Sequence, residues 1–265
     1  MKVVITGSSK GIGYALAKEF LRHGDQVVIS SRSDENLNKA KEDLKKEYPD
    51  AEVFSLVCDV TNPDDISKLK DFSLEKMKEI DIWVNNAGTN GFEYDFLVNV
   101  SNEVIENVIT TNVIGTLYGC KEAIKIMTKQ GKGKIFNLAG YGSKGMASPN
   151  LAAYGASKSS IPQLNKTLIK ETKGTSIGIH LLYPGMVLTD LLMKNANTPE
   201  SKKIFNILAE KPDTVATYLV PKMRKIKGTG KEIKFASRLE YFWRFMTAGK
   251  RKNRFYDEEG NLIQD

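Results

Sequence analysis

At 265 residues with 41% apolar side chains, the chain can build one substantial core and needs no second domain. Two cysteines, Cys58 and Cys120, provide neither a disulfide framework nor a metal-ligand spacing, which excludes a disulfide-stapled secreted fold and fits a reducing cytoplasm. The formal charge of +7 comes from residues 222–254, where twelve Lys or Arg face only Glu232 and Glu240; no nucleic-acid recognition motif accompanies them, so no nucleic-acid partner is expected.

The first element is a β-branched run at residues 3–5, followed by a glycine-spaced turn, Thr6-Gly7-Ser8-Ser9-Lys10-Gly11-Ile12-Gly13. No charged leader precedes it, and no apolar run reaches the ~18 residues of a membrane span. The expectation is a chain neither secreted nor integral to a membrane. Helical periodicity predicts a helix from 11 to about 23, with Ala15, Leu16, Phe20 and Leu21 as its buried stripe and Gly24 ending it. Further apolar runs at 26–30, 52–57, 82–84, 134–138 and 177–182 are separated by helical patterns, and a last strand is expected at 232–236. Asn62 caps one of those helices, with Pro63 in its first position and Asp64 and Asp65 in its first turn. This alternation predicts an α/β fold: a doubly wound, Rossmann-type parallel sheet in the order 3-2-1-4-5-6-7, flanked by helices, in a single domain. Its ligand belongs beyond the strand C-termini at the switch point.

The glycine turn falls at the end of the first strand and opens the first helix. There, Gly7, Gly11 and Gly13 allow close backbone approach, while free N–H groups and the helix dipole suit a dinucleotide pyrophosphate. The end of the second strand chooses between nicotinamide cofactors. It reads Ser30-Ser31-Arg32-Ser33, with no acid to hold ribose hydroxyls. Arg32, with Ser31, Ser33 and Lys10, suits a 2′-phosphate, so NADP(H) is expected over NAD(H). Asp59, closing the third strand, can accept from an adenine amino group. Tyr154 and Lys158 stand at i and i+4 on one helix face, bringing an ammonium beside a phenol. That neighbour, with the charge of an oxidised nicotinamide, would favour the phenolate.

The sequences TGSSKGIG, NNAG at 85–88, TTNVIG around Asn112, Tyr154-Gly155-Ala156-Ser157-Lys158 and Pro184-Gly185-Met186-Val187 with Thr189 resemble the short-chain dehydrogenase/reductase superfamily over about residues 2–190. A narrower likeness, in GSSKGIGYALAKEFL, DIWVNNAG, IFNLAGYGSKG, PGMVLTDLLM, FNILAEKPDTVATYLVP and the basic run ending at Arg254, is to plant chlorophyll b reductases, which reduce a tetrapyrrole formyl group. The resemblance implies an oxidoreductase in which hydride passes to a carbonyl carbon while Tyr154 supplies the proton. It implies that Lys158 also binds the nicotinamide ribose and that Asn112 holds a water of the proton relay. Ser9, Ile12, Val60, Asn86, Ala87 and Gly88 would border the cofactor. Pro184 and Gly185 would lie against the nicotinamide, with Val187 and Thr189 on its carboxamide.

One position departs from the superfamily pattern. Its carbonyl-polarising serine is replaced by Ala139-Gly140, which makes Ser143 the candidate donor and Ser148 a poorer one; the alternative is that Ser143 is a turn residue beside Gly142 and Gly145.

Leu191, Leu192, Met193, Phe205, Ile207 and Leu208 are expected to form an apolar substrate lid at about 190–210, within a cofactor-binding domain of 1–236. An extension at 237–265 then begins with Leu239, Tyr241, Phe242, Trp243, Phe245 and Met246, a helix apolar on most sides. It must be covered by a partner subunit, by the chain's own substrate cleft, or by an anionic membrane surface met peripherally. The whole reads as an NADPH-dependent reductase of a carbonyl compound, possessing a small-molecule substrate that is large and apolar, no metal, and a homodimeric or homotetrameric assembly. The alternatives are a reductase of small oxo compounds such as 3-oxoacyl thioesters and a non-catalytic NADPH-binding regulator.

Overall fold

The computed structural model describes residues 1–194 and 198–263, and of Arg238 the backbone alone. The centre of the expected lid and the last two residues of the expected extension therefore lie outside the described residues. Seven strands form one parallel sheet in the order β3-β2-β1-β4-β5-β6-β7, as the alternating pattern requires. They are β1 (Lys2–Ile5), β2 (Gln26–Ser31), β3 (Val53–Val57), β4 (Ile82–Asn85), β5 (Gly133–Leu138), β6 (Ile177–Tyr183) and β7 (Glu232–Lys234). The central strands are predominantly apolar because helices cover both faces. The seventh is shorter than expected, since beyond Lys234 a single bond, Phe235 N to Tyr183 O at 2.9 Å, continues the ladder.

On one face α1 (Gly11–Arg22) and α2 (Asp34–Glu47) join α9 (Pro212–Lys225); Ala15, Leu16, Phe20 and Leu21 of α1 are buried as the periodicity requires. Asn62 caps α3 (Pro63–Met77), its side chain accepting from Asp64 N at 2.9 Å. On the other face α4 (Asn102–Ile109) runs into α5 (Gly115–Gln130) through a π-helical turn at Thr110–Ile114, and α6 (Ala152–Glu171) packs beside it. A buried amide chain ties α6 to the sheet. Asn85 Nδ2 donates to Asn137 Oδ1, and Asn137 Nδ2 donates to Asn165 Oδ1, each at 2.7 Å. Unmet buried amides are costly, so this chain fixes how α6 sits on β4 and β5. It thereby fixes Tyr154 and Lys158.

After β6 come two short helices, α7 (Asp190–Met193) and α8 (Pro199–Leu208), in the expected lid. The chain ends with α10 (Arg238–Met246), a 3-10 turn at Ala248–Arg251, and a tip whose Phe255 and Tyr256 bury themselves against Phe205 and Ala209. Among the described residues no helix is long and apolar enough to cross a membrane.

Candidate active site

A cavity of about 1600 Å³ opens over the C-terminal ends of the strands, running from the glycine turn to the lid. At its first end Gly7 takes φ +62°, and a Cβ there would lie 2.7 Å from Ala87 Cα, so the turn and the chain after β4 touch backbone to backbone. Thr6 Oγ1, which the motif reading passed over, accepts from Asn86 N at 3.1 Å and Ala87 N at 3.2 Å, locking those segments together. Asn86 Nδ2 donates to the Thr6 and Gly7 carbonyls. Its Oδ1 is buried and has no protein partner among the described residues.

Gly7, Ser9, Lys10, Gly11, Ile12 and Gly13 all border the cavity. So do Ser31, Arg32, Val60, Asn86, Ala87 and Gly88. Ser9 Oγ donates to Ser31 Oγ at 3.0 Å beside an exposed Arg32. Two expected cofactor contacts lie outside the lining, and a third, Lys10, borders it within an ion pair. Ser33 caps α2 by accepting from Asn36 N at 3.3 Å, and it does not line the cavity. Asp59 is likewise outside the lining, its Oδ1 accepting from Thr61 N and Oγ1 at 2.9 and 2.8 Å. Lys10 pairs with Asp190 of α7 at 2.8 Å, an exposed bridge from the turn to the lid that is worth at most ~1 kcal/mol and is easily exchanged.

Across the cavity from the turn, Tyr154 and Lys158 project from the first turns of α6. Lys158 Nζ donates to Leu138 O at 3.4 Å and sits 5.9 Å from the Tyr154 ring centroid. Burial pulls the Lys158 ammonium down to about 8. Burial, with a smaller push from Tyr94, raises the Tyr154 phenol to about 12. In the protein by itself, desolvation dominates at Tyr154 and disfavours the phenolate. A phenol held protonated is a proton donor. Asn112 is fully buried in the π turn, where Nδ2 donates to Thr89 O at 2.8 Å and Ser157 Oγ at 2.9 Å, while Oδ1 accepts from Thr89 N at 2.8 Å. The widened turn tilts this residue toward α6 and the chain after β4, so its observed contacts are with protein.

Ser143 does not polarise the cavity. Its Oγ accepts from Gly140 N at 2.9 Å and donates to Lys158 O at 3.0 Å, so its single hydrogen is spent on backbone. It is buried and outside the lining, and the turn-residue alternative describes it. Ser148 is exposed on the cavity rim.

Pro184, Gly185, Val187 and Thr189 line the middle of the cavity. Leu191, Leu192, Phe205 and Leu208 line the lid side, with Ile204 beside them, whereas Ile207 is buried outside the lining. The C-terminal segment holds this region in a way that charge counting did not reveal. Tyr241 of α10 abuts Gly185, where a Cβ would come within 2.6 Å of its hydroxyl. Glu210 forms ion pairs with Arg251 at 2.6 Å, Arg254 at 2.7 Å and Arg244 at 3.3 Å. The same arginines cap α8: Arg251 donates to Ile207 O, Arg244 to Leu208 O and Arg254 to Ala209 O, at 2.6, 2.8 and 3.0 Å. Three of the cations in the basic stretch thus face inward. The apolar side of α10, with Leu239, Phe242, Trp243, Phe245 and Met246 more than half exposed, remains uncovered within this chain.

Residues 1–200 match the family model for short chain dehydrogenase, and the chain belongs to that family of oxidoreductases. Within it the chain is similar to chlorophyll(ide) b reductase NOL, chloroplastic, of Oryza sativa subsp. japonica, with 47% identity over 97% of this chain and 78% of that protein. It is also similar to the probable chlorophyll(ide) b reductase NYC1, chloroplastic, of the same plant, with 42% identity over 98% of this chain; the chain spans about half of that relative, 55%. The solved structure of levodione reductase shares the fold, with a TM-score of 0.79 and 24% identity over 88% of this chain and 95% of that one. The expectation of a cytoplasmic protein is corrected by these chloroplastic relatives. Two unpaired cysteines distinguish reducing from oxidising surroundings, and that observation never separated one reducing compartment from another.

Proposed function

We propose that the protein is an NADPH-dependent carbonyl reductase whose substrate is a large apolar formyl compound of the tetrapyrrole class. The observation that carries the reading is the Tyr154 phenol beside Lys158 in the wall of a cavity of about 1600 Å³ over the strand ends. A cavity of that size exceeds the ~300–1,000 Å³ usual for one ligand, which supports room for a dinucleotide and a second large molecule together. The four-way match of turn, NNAG segment, Tyr/Lys pair and relatives supports the chemistry; the likeness to the rice chlorophyll(ide) b reductases supports the substrate class.

The residues present fit a nicotinamide dinucleotide. The glycine turn at the N-terminus of α1 leaves backbone N–H groups for a pyrophosphate, the buried Asn86 Oδ1 awaits a donor, and Arg32 stands beside Ser9 and Ser31 for a 2′-phosphate. When bound, the reduced nicotinamide supplies the hydride. Tyr154 donates its proton to the carbonyl oxygen as that hydride arrives, and Lys158 lies beside it to stabilise the phenolate left behind. Asn112, with its amide spent on Thr89 and Ser157, positions the wall next to Lys158. Leu191, Leu192, Phe205 and Leu208 exclude water around an apolar substrate. Residues 1–236 form the cofactor domain in this reading, and 237–265 form an extension that braces the lid. The exposed aromatics of α10 support a homo-oligomeric contact, which sedimentation of Trp243→Glu against the parent checks.

Anaerobic oxidation of NADPH against small aldehydes, oxoacyl thioesters and formyl tetrapyrroles tests the reading. Turnover confined to the formyl tetrapyrroles, abolished by Tyr154→Phe with NADPH binding kept, is the expected result. Equal activity in parent and Tyr154→Phe overturns the mechanism, and preference for the thioesters overturns the substrate class.

A further inference from the structure

We propose that Ser143 is a positioning residue for Tyr154 and Lys158: its hydroxyl holds the main-chain carbonyl of Lys158, which Pro162 cannot serve, and so seats the turn of α6 that carries both side chains. The proposal rests on the carbonyl-reductase reading and deepens it.

In an α-helix each carbonyl accepts from the N–H four residues further on. Four residues after Lys158 stands Pro162, inside α6, which has no N–H and whose ring crowds the carbonyl that such a donor would serve. Lys158 is buried, and a buried carbonyl left unmet is costly. The donor found there is Ser143, whose Oγ lies 3.0 Å from Lys158 O. The same Oγ accepts from Gly140 N at 2.9 Å, and Ser143 N donates to Gly140 O at 3.1 Å. The hydroxyl is thus mounted on a turn closed upon itself just after β5.

The start of α6 has little of its own to hold it. Its N-cap, Leu151, makes no side-chain cap bond, no acid stands in its first turn, and the weak helix former Gly155 directly follows Tyr154. Tertiary contacts supply what the local sequence lacks. Gly142, at φ +94°, packs backbone to backbone on α6, since a Cβ there would lie 2.8 Å from Gly155 Cα. Asn112 Nδ2 grips the neighbouring Ser157 Oγ at 2.9 Å. Lys158 is tied to the end of β5 and the turn after it through both its ends, with Nζ donating to Leu138 O at 3.4 Å and its carbonyl accepting from Ser143.

Tyr154 is seated against the same turn. A Cβ on Gly140 would lie 2.7 Å from its Oη and 3.2 Å from Lys158 Cγ, so the phenol and the lysine stem both rest on Gly140, whose N–H the Ser143 hydroxyl holds. A shift of α6 relative to this turn therefore moves the proton donor and the ammonium beside it together. Misplacing reacting groups by ~1 Å costs up to ~10²-fold in rate. Ser143 serves the reaction in this way without touching the substrate, which fits its place outside the cavity lining.

The experiment compares the full chain with Ser143→Ala, Pro162→Ala, the double variant and Tyr154→Phe, in two readouts: reduction of a formyl tetrapyrrole by NADPH, and amide hydrogen exchange over the first turns of α6 without cofactor. Pro162→Ala gives the helix back the N–H that Lys158 O lacks, so it can replace the Ser143 hydroxyl. Ser143→Ala should lower kcat by ~10-fold or more with little change in KM for the tetrapyrrole. Its exchange at the start of α6 should be faster by ~10-fold or more. The double variant should recover most of both, and Pro162→Ala alone should stay close to the parent. Should Ser143→Ala fail to fold, Ser143→Cys, a much weaker donor of similar size, takes its place in each comparison. Full kcat in Ser143→Ala while Tyr154→Phe is inactive overturns the proposal and leaves the reductase reading standing. A loss in kcat or a rise in exchange that is equal in the single and double variants overturns it too, as does a change in KM or thermal midpoint with kcat kept. Activity retained in Tyr154→Phe refutes the reductase reading itself, and the proposal with it.

Discussion

Replacing Glu210 by glutamine should loosen the lid by removing the one anion among three arginines. The side chain is 12% exposed and accepts the two short contacts from Arg251 and Arg254 at 2.6 and 2.7 Å. A charge-assisted hydrogen bond is worth ~1.5–3 kcal/mol, so two such bonds set an upper figure of ~3–6 kcal/mol. The arginines keep their bonds to Ile207, Leu208 and Ala209 and are themselves partly solvated, which discounts the loss to ~2–3 kcal/mol. In a chain of this size each kcal/mol moves the thermal midpoint by ~2–4 °C, so Glu210→Gln should unfold about 5–10 °C below the parent at pH 7. Burial pushes the Glu210 carboxyl up, but the bonds from Arg251 and Arg254 outweigh it and hold it below the usual carboxylate range. A depressed carboxyl stabilises the fold above its unfolded value and loses that contribution as pH falls through the folded one. The gap between variant and parent should therefore be full at pH 6–8 and close below about pH 4. Calorimetry across that range reads both quantities. Equal midpoints at pH 7 would refute the clamp, and a gap unchanged at acid pH would show that charge is not its basis.

Arg32→Ala should raise the Kd for NADPH by ~10–100-fold and leave NADH nearly unchanged, since a charge-assisted contact to a 2′-phosphate is all that is removed; parallel shifts measured by cofactor fluorescence would refute the assignment. Gly140→Ser, although it restores the residue usual in the superfamily, should lower kcat by ~10-fold or more, because its Cβ would lie 2.7 Å from Tyr154 Oη and overpacking costs ~1–3 kcal/mol. A gain in kcat would show that the wall gives way. Burial sets the Lys158 ammonium at about 8 while the Tyr154 phenol stays protonated to about 12, so the kcat of carbonyl reduction should fall as pH rises through about 8 from loss of the Lys158 charge. A flat profile from pH 6 to 10 would remove Lys158 from the rate.

Strand order, the glycine turn and the Tyr154/Lys158 pair were legible because each is written in local pattern: β-branched runs set against helical periodicity, a turn that only glycines fit, and an i, i+4 spacing. The individual polar roles were not. Ser33, Asp59 and Ser143 have the right chemistry at the right chain positions, yet each side chain also meets a nearby group, Asn36 N, Thr61 and Lys158 O, and none of the three lines the cavity. Ser, Asp and Asn do this wherever a turn brings a neighbour within reach, and spacing alone does not say which partner wins. Tyr94 and Asn90 carry the opposite lesson. Neither belongs to a short motif, yet both line the cavity.

The basic tail shows the same limit at the scale of a whole segment. Twelve cations in a short stretch suggest an anionic partner outside the molecule, because charge counted along a chain carries no direction. Folding supplies the direction. The end of α8 presents carbonyl oxygens with no helical partner, Glu210 adds a full negative charge beside them, and Arg244, Arg251 and Arg254 answer both. Each guanidinium serves a carbonyl oxygen at the helix end, Arg254 two of them, together with the shared carboxylate, a fork that a lysine could not span. The signal for this lay in the acceptors rather than in the donors. A helix that ends without a glycine, at Leu208-Ala209-Glu210, leaves its last carbonyls needing cations from somewhere else in the chain. The C-terminal segment, folded back over α8, brings them there, which is why removing Glu210 should be felt in stability.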